Sequence, residues 1–229
     1  MRDNALNVRL YSCAGLVRQD AVFADIGTDH AYLPIFLLKE GVISRAVCAD
    51  INAGPLASAK ENLLATGLID RVELVLTDGA AELSDRGITD YAICGMGGEL
   101  IADIISCAPH LKDPTLNLIL QPMTKQEHLR SYLYSEGFVI DKESYSLDGE
   151  RSYVCFAARY TSLSRTLSAT EAVIGAENSD IVNKDLQIIY LQKKIKSLKK
   201  AISGKRISGG DPAPEEMLVR EIESYLSDI

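Results

Sequence analysis

The sequence predicts an α/β fold, a doubly wound parallel sheet closed by an antiparallel hairpin, followed by a C-terminal helical coiled-coil hairpin. Three observations carry that prediction. Five short apolar runs alternate with amphipathic stretches of helix length, the rhythm of strand–helix–strand units. Two alternating runs, Phe138 to Ser146 and Arg151 to Tyr160, flank Leu147-Asp148-Gly149-Glu150, and Asp-Gly between such runs signals a hairpin. Finally, Ile188, Leu191, Ile195, Leu198 and Ile202 recur at intervals of three and four, as do Leu218, Ile222, Tyr225 and Ile229, giving two helices with narrow apolar seams.

In chain order, Asn4 to Val17 reads as a helix with Leu6, Leu10, Cys13, Leu16 and Val17 available to one face and Arg9 beside them. Ala21 to Ala24 is a buried strand, Asp25 to Asp29 a polar turn, and His30 to Leu38 a helix that Thr28 or Asp29 can cap and Gly41 stops. The second strand, Arg45 to Ala49, runs into Asp50. Pro55 sits in the first turn of a helix carrying Leu56, Ala59, Leu63 and Leu64 to Gly67. Val72 to Leu76 is the third strand, ending at Thr77-Asp78-Gly79. Tyr91 to Cys94 is the fourth, ending at Gly95-Met96-Gly97-Gly98 before the helix Leu100 to Ile105. Leu116 to Leu120 is the fifth, ending at Gln121-Pro122-Met123 before the helix Gln126 to Glu136. The α/β domain is placed at residues 1–160. A serine- and threonine-rich connector, Thr161 to Thr170, opens the helical part, residues 161–229, whose two helices are joined by Ser203 to Pro214.

Length fits one α/β domain of about 150 residues plus an appendage. There is no apolar run of about 18 residues, and Met1 to Arg9 is too polar for a secretory signal, so a cytoplasmic location is expected. The five cysteines form no C-x-x-C pair, which favours buried reduced thiols over a metal site or disulfides. A net charge of −8 argues against a uniformly basic nucleic-acid binder. That charge lies wholly in residues 1–160. The remainder is neutral and gathers Lys193, Lys194, Lys196, Lys199, Lys200, Lys205 and Arg206, either a phosphate-docking patch or a solvated helix face.

In open α/β sheets ligands bind beyond the carboxyl ends of the strands, so Asp25, Asp50, Asp78, Gly95 and Gln121 share a rim. Asp50 stands where such folds place a ribose-binding acid. In place of the second glycine of G-x-G-x-x-G the chain has Asp29, whose charge repels a pyrophosphate but suits a sulfonium cation. S-adenosyl-L-methionine therefore fits better than a dinucleotide, the plain alternative for Asp29 being a helix cap. A sheet that finishes in a hairpin also fits class I methyltransferases better than nicotinamide dehydrogenases, by analogy of topology.

Ala24-Asp25-Ile26-Gly27-Thr28-Asp29-His30-Ala31-Tyr32-Leu33-Pro34, Gly54-Pro55 with Ser58-Ala59-Lys60, Asp78-Gly79, Gly95-Met96-Gly97-Gly98 and Leu120-Gln121-Pro122 together resemble the bacterial TrmK family, tRNA adenine-N1 methyltransferases acting on a D-arm adenosine at position twenty-two. The resemblance spans most of residues 1–160. It departs at Asp50, shorter by a methylene than the family's usual glutamate, and at Met123. It implies a class I, Rossmann-like methyltransferase domain with a coiled-coil domain, S-adenosyl-L-methionine as cofactor, and tRNA as partner. It also implies a catalytic role for Asp29. Cofactor contacts are implied at Asp25, Gly27, His30, Asp50, Ile51, Asp78, Gly79, Gly95, Met96 and Gly97, and substrate contacts at Arg9, Tyr32, Lys193, Lys196 and Lys200. A monomer is expected, with a dimer through the coiled coil as the alternative. No Pro-Pro-Tyr or Pro-Pro-Phe follows the fourth strand, so the exocyclic amino-methylase signature is missing. Two other functions stay open: methylation of a small molecule or another RNA, and a non-catalytic RNA-binding module that retains the cofactor fold.

Overall fold

The computed structural model describes residues 6–176 and 179–229. Its strands are β1 (Ala21–Ile26), β2 (Ile43–Asp50), β3 (Val72–Leu76), β4 (Asp90–Gly97), β5 (Asn117–Thr124), β6 (Phe138–Asp148), β7 (Arg151–Tyr160) and β8 (Asp180–Ile181). Its helices are α1 (Val8–Ala14), α2 (Tyr32–Lys39), α3 (Ala53–Thr66), α4 (Gly98–Ser106), α5 (Gln126–Ser135), α6 (Ala169–Ile174), α7 (Lys184–Ser208) and α8 (Ala213–Asp228). One sheet holds the strands in the order β3-β2-β1-β4-β5-β7-β6-β8. The first five are parallel, and β7 enters antiparallel to both β5 and β6. The order reverses between β1 and β4, which opens a crevice where their carboxyl ends lie side by side.

Both faces of the sheet are covered, which is why β1, Ala-Val-Phe-Ala-Asp-Ile, reads as continuous apolar sequence. Phe23, Ala46, Cys48 and Ala92 pack with α1, α2 and α3 on one face, while Ala24, Val47, Tyr91, Ile93 and Leu118 pack with α4 and α5 on the other. Each fully buried Phe or Leu, such as Phe23 or Leu37, contributes roughly 2 kcal/mol of transfer free energy.

Several boundaries differ from the sequence reading. Asn4 lies outside the described residues, and α1 begins after Asn7, whose side chain accepts from Leu10 N at 2.9 Å. α2 starts at Tyr32, not His30, because Pro34 has no N–H to give and is confined to the first turn. Neither Thr28 nor Asp29 caps it; the capping position is Ala31, in left-handed conformation. The hairpin loop is Gly149-Glu150, one residue later than Asp-Gly suggests, since Asp148 still pairs with Arg151. Leu64 and Ile229 are exposed, and Val219 replaces Leu218 as the buried residue of the α8 seam. α7 continues through Ser203 to Gly209, which takes the left-handed φ that ends it.

The connector Thr161 to Thr170 leads into α6, which begins inside it at Ala169, and β8 follows before α7, where the sequence reading placed neither element. Ser168 caps α6 in a reciprocal capping box with Glu171. Beneath α6 lies a fully buried ion pair: Arg130 reaches Glu143 at 2.7 Å and 3.1 Å and donates to Ala172 O and Val173 O at 2.8 Å and 3.0 Å. Tyr145 donates to the same carboxylate at 2.6 Å, and Arg130 sits 4.7 Å from the Phe156 ring centroid. Lys199 pairs with Glu223, whereas Lys205 and Arg206, further along α7, pair with Glu215 and Glu216 near the start of α8, so α7 and α8 are antiparallel.

Candidate active site

The crevice between β1 and β4 opens into a cavity of about 250 Å³ lined by Arg9, Asp25, Asp29, His30, Tyr32 and Gly95, with Gly27 and Cys94 in its walls. Its local geometry follows from two departures from regular structure. Gly27 turns the chain at φ +74°, and Met96 packs so closely across it that any side chain there would collide with the thioether. Gly95, at φ +80°, is an extra residue on β4, because Cys94 pairs with Gln121 and Met96 with Pro122. Such a bulge bends the strand end and re-aims its backbone.

Asp25 is buried at the cavity floor. Burial pushes its carboxyl up to about 6, against the opposing pull of a 2.5 Å hydrogen bond from Thr28 Oγ1 and of the nearby Arg9. Asp29, by contrast, has a side chain 75 % exposed at the lip, 3.3 Å from His30 Nε2. The His30 ring stacks on Tyr32 with centroids 5.0 Å apart. Behind the cavity Cys94 and Cys13 sulfurs lie 3.7 Å apart; contact with Cys155 and burial raise Cys13 well above the usual thiol range against the opposing pull of Cys94, and contact with Cys13 and burial raise Cys94. All five cysteines are free thiols; Cys13, Cys48 and Cys155 are buried as expected, whereas Cys107 is exposed where it ends α4.

Of the residues singled out from sequence, Arg9, Asp25, Gly27, Asp29, His30, Tyr32 and Gly95 come together around this cavity. Asp50, Ile51, Asp78 and Gly79 lie beside it at the ends of β2 and β3, as an open shelf in which Asp78 is exposed and Ile51 is 59 % exposed. Asp50 Oδ1 accepts from Asn52 N at 2.7 Å. Gly97 ends β4 against Thr124, 3.4 Å from where its Cβ would be. Lys193, Lys196 and Lys200 do not reach the cavity; they are on α7, which packs against β6 and β7. Lys193 donates to Glu150 O at 2.6 Å, and Lys196 and Lys200 are exposed without a partner among the described residues.

Sequence reasoning gave no contact role to three contributors, although it placed Gln121 on the rim. Thr28 was readable only as a cap, although its hydroxyl serves Asp25. Gln121 is wholly buried, and its Oε1 accepts from both Arg9 Nη1 at 2.6 Å and Gly95 N at 3.1 Å. Thr77, after β3, has a buried hydroxyl with no partner among the described residues. The one available signal was a lone polar side chain, Gln121, following an apolar strand run.

These features fit S-adenosylmethionine. They are a buried acid, Asp25, at the cavity floor, Asp50 and the orphaned Thr77 hydroxyl at the ends of the neighbouring strands β2 and β3, and the Gly95 bulge. Among the described residues no three His, Cys, Asp or Glu side chains are arranged to hold a metal ion.

Comparison with known proteins agrees with this geometry. A protein-family profile described as "Methyltransferase domain" matches residues 6–156. The tRNA (adenine(22)-N(1))-methyltransferase of Bacillus subtilis (strain 168) is 30% identical over 194 residues, 84% of this chain and 81% of the relative. Sp1610 of Streptococcus pneumoniae, solved in complex with S-adenosyl-L-methionine, superposes with a TM-score of 0.80 at 28% identity, covering 95% of this chain and 99% of that one. TrmK of M. capricolum, solved with S-adenosyl-homocysteine, superposes at 0.78 with 27% identity over 97% of this chain and 98% of its own. A sheet whose crevice, buried acid and glycine bulge suit S-adenosylmethionine, and a relative at that identity along most of both chains, place the protein: it belongs to the TrmK family of methyltransferases.

Proposed function

We infer that this protein transfers the methyl group of S-adenosylmethionine to N1 of an adenosine in tRNA, the D-arm adenosine at position 22. The observation that carries this reading is the pairing of a buried acid, Asp25, with an exposed one, Asp29, across one small cavity floored by glycine backbone. It is supported by the activity named for the B. subtilis relative.

The cofactor, when bound, supplies an electrophilic methyl group on a sulfonium. Asp25 and Gly27 hold the methionine end, with His30, Met96 and Gly97 around it, and Asp50, Ile51, Asp78 and Gly79 take the nucleoside. Adenine N1 already carries an in-plane lone pair, so no strong base is needed; alignment and charge are the demands. Asp29 is the catalytic residue, because adenine becomes cationic on N1-methylation and a carboxylate at the lip stabilises that charge. Its effect is screened in the open protein and grows as the substrate displaces water. The Tyr32 ring, backed by His30, offers a flat surface for a base drawn out of its stack, and Arg9 faces the same opening. Residues 1–160 carry the chemistry in this reading, and residues 161–229 carry the RNA contact, through Lys196 and Lys200 with Lys193.

The test is nucleoside analysis of unmodified tRNA after incubation with cofactor. Wild-type protein should yield 1-methyladenosine, and Asp29→Asn should slow single-turnover methylation more than tenfold while cofactor affinity stays within about twofold. N6-methyladenosine, or no methylated nucleoside, would overturn the function; a wild-type rate in the variant would reduce Asp29 to a surface carboxylate.

A further inference from the structure

Gln121 lies at the hinge between the two halves of this site, yet it is wholly buried and can touch neither cofactor nor RNA. Its Oε1 takes two donors, Arg9 Nη1 at 2.6 Å and Gly95 N at 3.1 Å, and its Nε2 donates to Pro122 O at 3.0 Å. The second of these bonds has a local cause. The bulge removes Gly95 N–H from the β4–β5 ladder, and the side chain of Gln121, the β5 partner of Cys94, supplies the acceptor it loses. The first bond has no such necessity. It crosses 112 residues of sequence to a long cationic side chain that could otherwise extend into water.

We propose that Gln121 is a positioning residue that aims Arg9 into the cavity. The bond uses one of the five guanidinium N–H groups, and the others have no partner among the described residues. With Nη1 anchored, Nη2 and the remaining N–H groups form a fork beside Gly95, which lies so near that a Cβ there would be 3.3 Å from Nη1. A planar fork held this way suits a bidentate oxyanion. That oxyanion is a tRNA phosphate beside the target nucleoside or the carboxylate of the cofactor's methionine part. Because Oε1 serves Arg9 and the Gly95 bulge together, the two sides of the site keep a fixed mutual placement. The inference rests on the methyl-transfer reading above.

The experiment is a double-mutant cycle in the full chain: wild type, R9M, Q121M and R9M/Q121M, with Q121E as the conservative variant. Methionine keeps the length and removes the acceptor, whereas glutamate keeps an acceptor for both donors. R9M and Q121M should each lower kcat/KM for tRNA at least tenfold. The double variant should be no worse than the weaker single within about twofold, and Q121E should recover most of the loss. Calorimetric affinity for S-adenosylmethionine identifies the oxyanion. Weakening in both single variants assigns the carboxylate, and unchanged affinity with a raised KM for tRNA assigns the phosphate. If the losses multiply in the double variant, or Q121M keeps wild-type kcat/KM, Gln121 merely pairs the bulge and the proposal fails. Should Q121M not fold, Q121E decides: a tenfold loss at unchanged melting temperature overturns the proposal, and activity that falls to the R9M level in R9M/Q121E supports it. Wild-type protein that forms no 1-methyladenosine defeats the functional reading instead, so the two failures are distinct.

Discussion

Asp25 carries the most pH-sensitive chemistry in the site, because it is a largely buried carboxyl with one hydroxyl donor and a cation nearby. Burial raises it from 3.8 to about 6 in the folded chain. A carboxyl whose pKa is higher folded than unfolded stabilises the fold while protonated, and that contribution disappears as pH rises through about 6. The difference is on the order of 3 kcal/mol between pH 4 and pH 7. A ligand bearing an ammonium and a sulfonium reverses the preference, since it favours the ionised form. Cofactor affinity should therefore fall as pH drops from 7 to 5, and binding near pH 6 should release a proton. Calorimetry in buffers of different ionisation enthalpy reads both effects, and Asp25→Asn should remove them; affinity constant across that range would exclude Asp25 from the cofactor site. The position of Asp25 was legible in the sequence, because an acid ending an apolar strand is a strong pattern. Its Thr28 partner was not, since a threonine before a helix has the same sequence signature as a cap.

At the scale of elements, the hairpin and helix α5 are joined by charge buried without water. Arg130 and Glu143 are both fully buried, and the arginine also satisfies two carbonyls of α6, a helix of six residues that caps the pair. Removing one partner leaves an uncompensated buried charge. Arg130→Met should thus cost about 3–5 kcal/mol in chemical denaturation, and adding Glu143→Leu should return part of the loss. The return is incomplete because Tyr145, Ala172 O and Val173 O still lack their partner. A cost under about 1 kcal/mol for Arg130→Met would mean that water reaches the pair. This cluster could not be read from sequence. Arg130 sits in an amphipathic helix and Glu143 in an alternating strand, where each looks like an ordinary solvated charge. The strands, the hairpin and the two long helices were legible because their periods are sustained, while α6 and the two-residue strand β8 are too short to have one.

Across the whole molecule, the acidic sheet domain and the helical hairpin share one hydrophobic core: Leu191, Ile195, Ile202 and Ile222 belong to the same buried cluster as Ala24, Ile93 and Leu120. The hairpin is therefore packed onto the sheet domain through that core. Its basic run is mostly spent internally. Lys194 pairs with Glu127, Lys199 with Glu223, Lys205 with Glu215 and Arg206 with Glu216. What the sequence presented as seven positive charges is thus a face on which, among the described residues, Lys196 and Lys200 have no partner and Lys193 is bound to the hairpin turn. Those paired charges are partly neutralised and contribute less to attracting phosphate than their number suggests. Replacing Lys196 and Lys200 with glutamine should weaken tRNA binding severalfold at low salt. It should also lower the slope of log affinity against log salt by up to about 2, one unit for each phosphate that is no longer neutralised, with cofactor affinity unchanged. Replacing Lys199 and Lys205 instead should move the slope less, because their charges are already matched by Glu223 and Glu215 on α8. Filter binding across a salt series separates the two variants. Equal slopes for both variants and wild type would make the α7 face a solvated surface and move the RNA contact to the sheet domain around Arg9 and Tyr32.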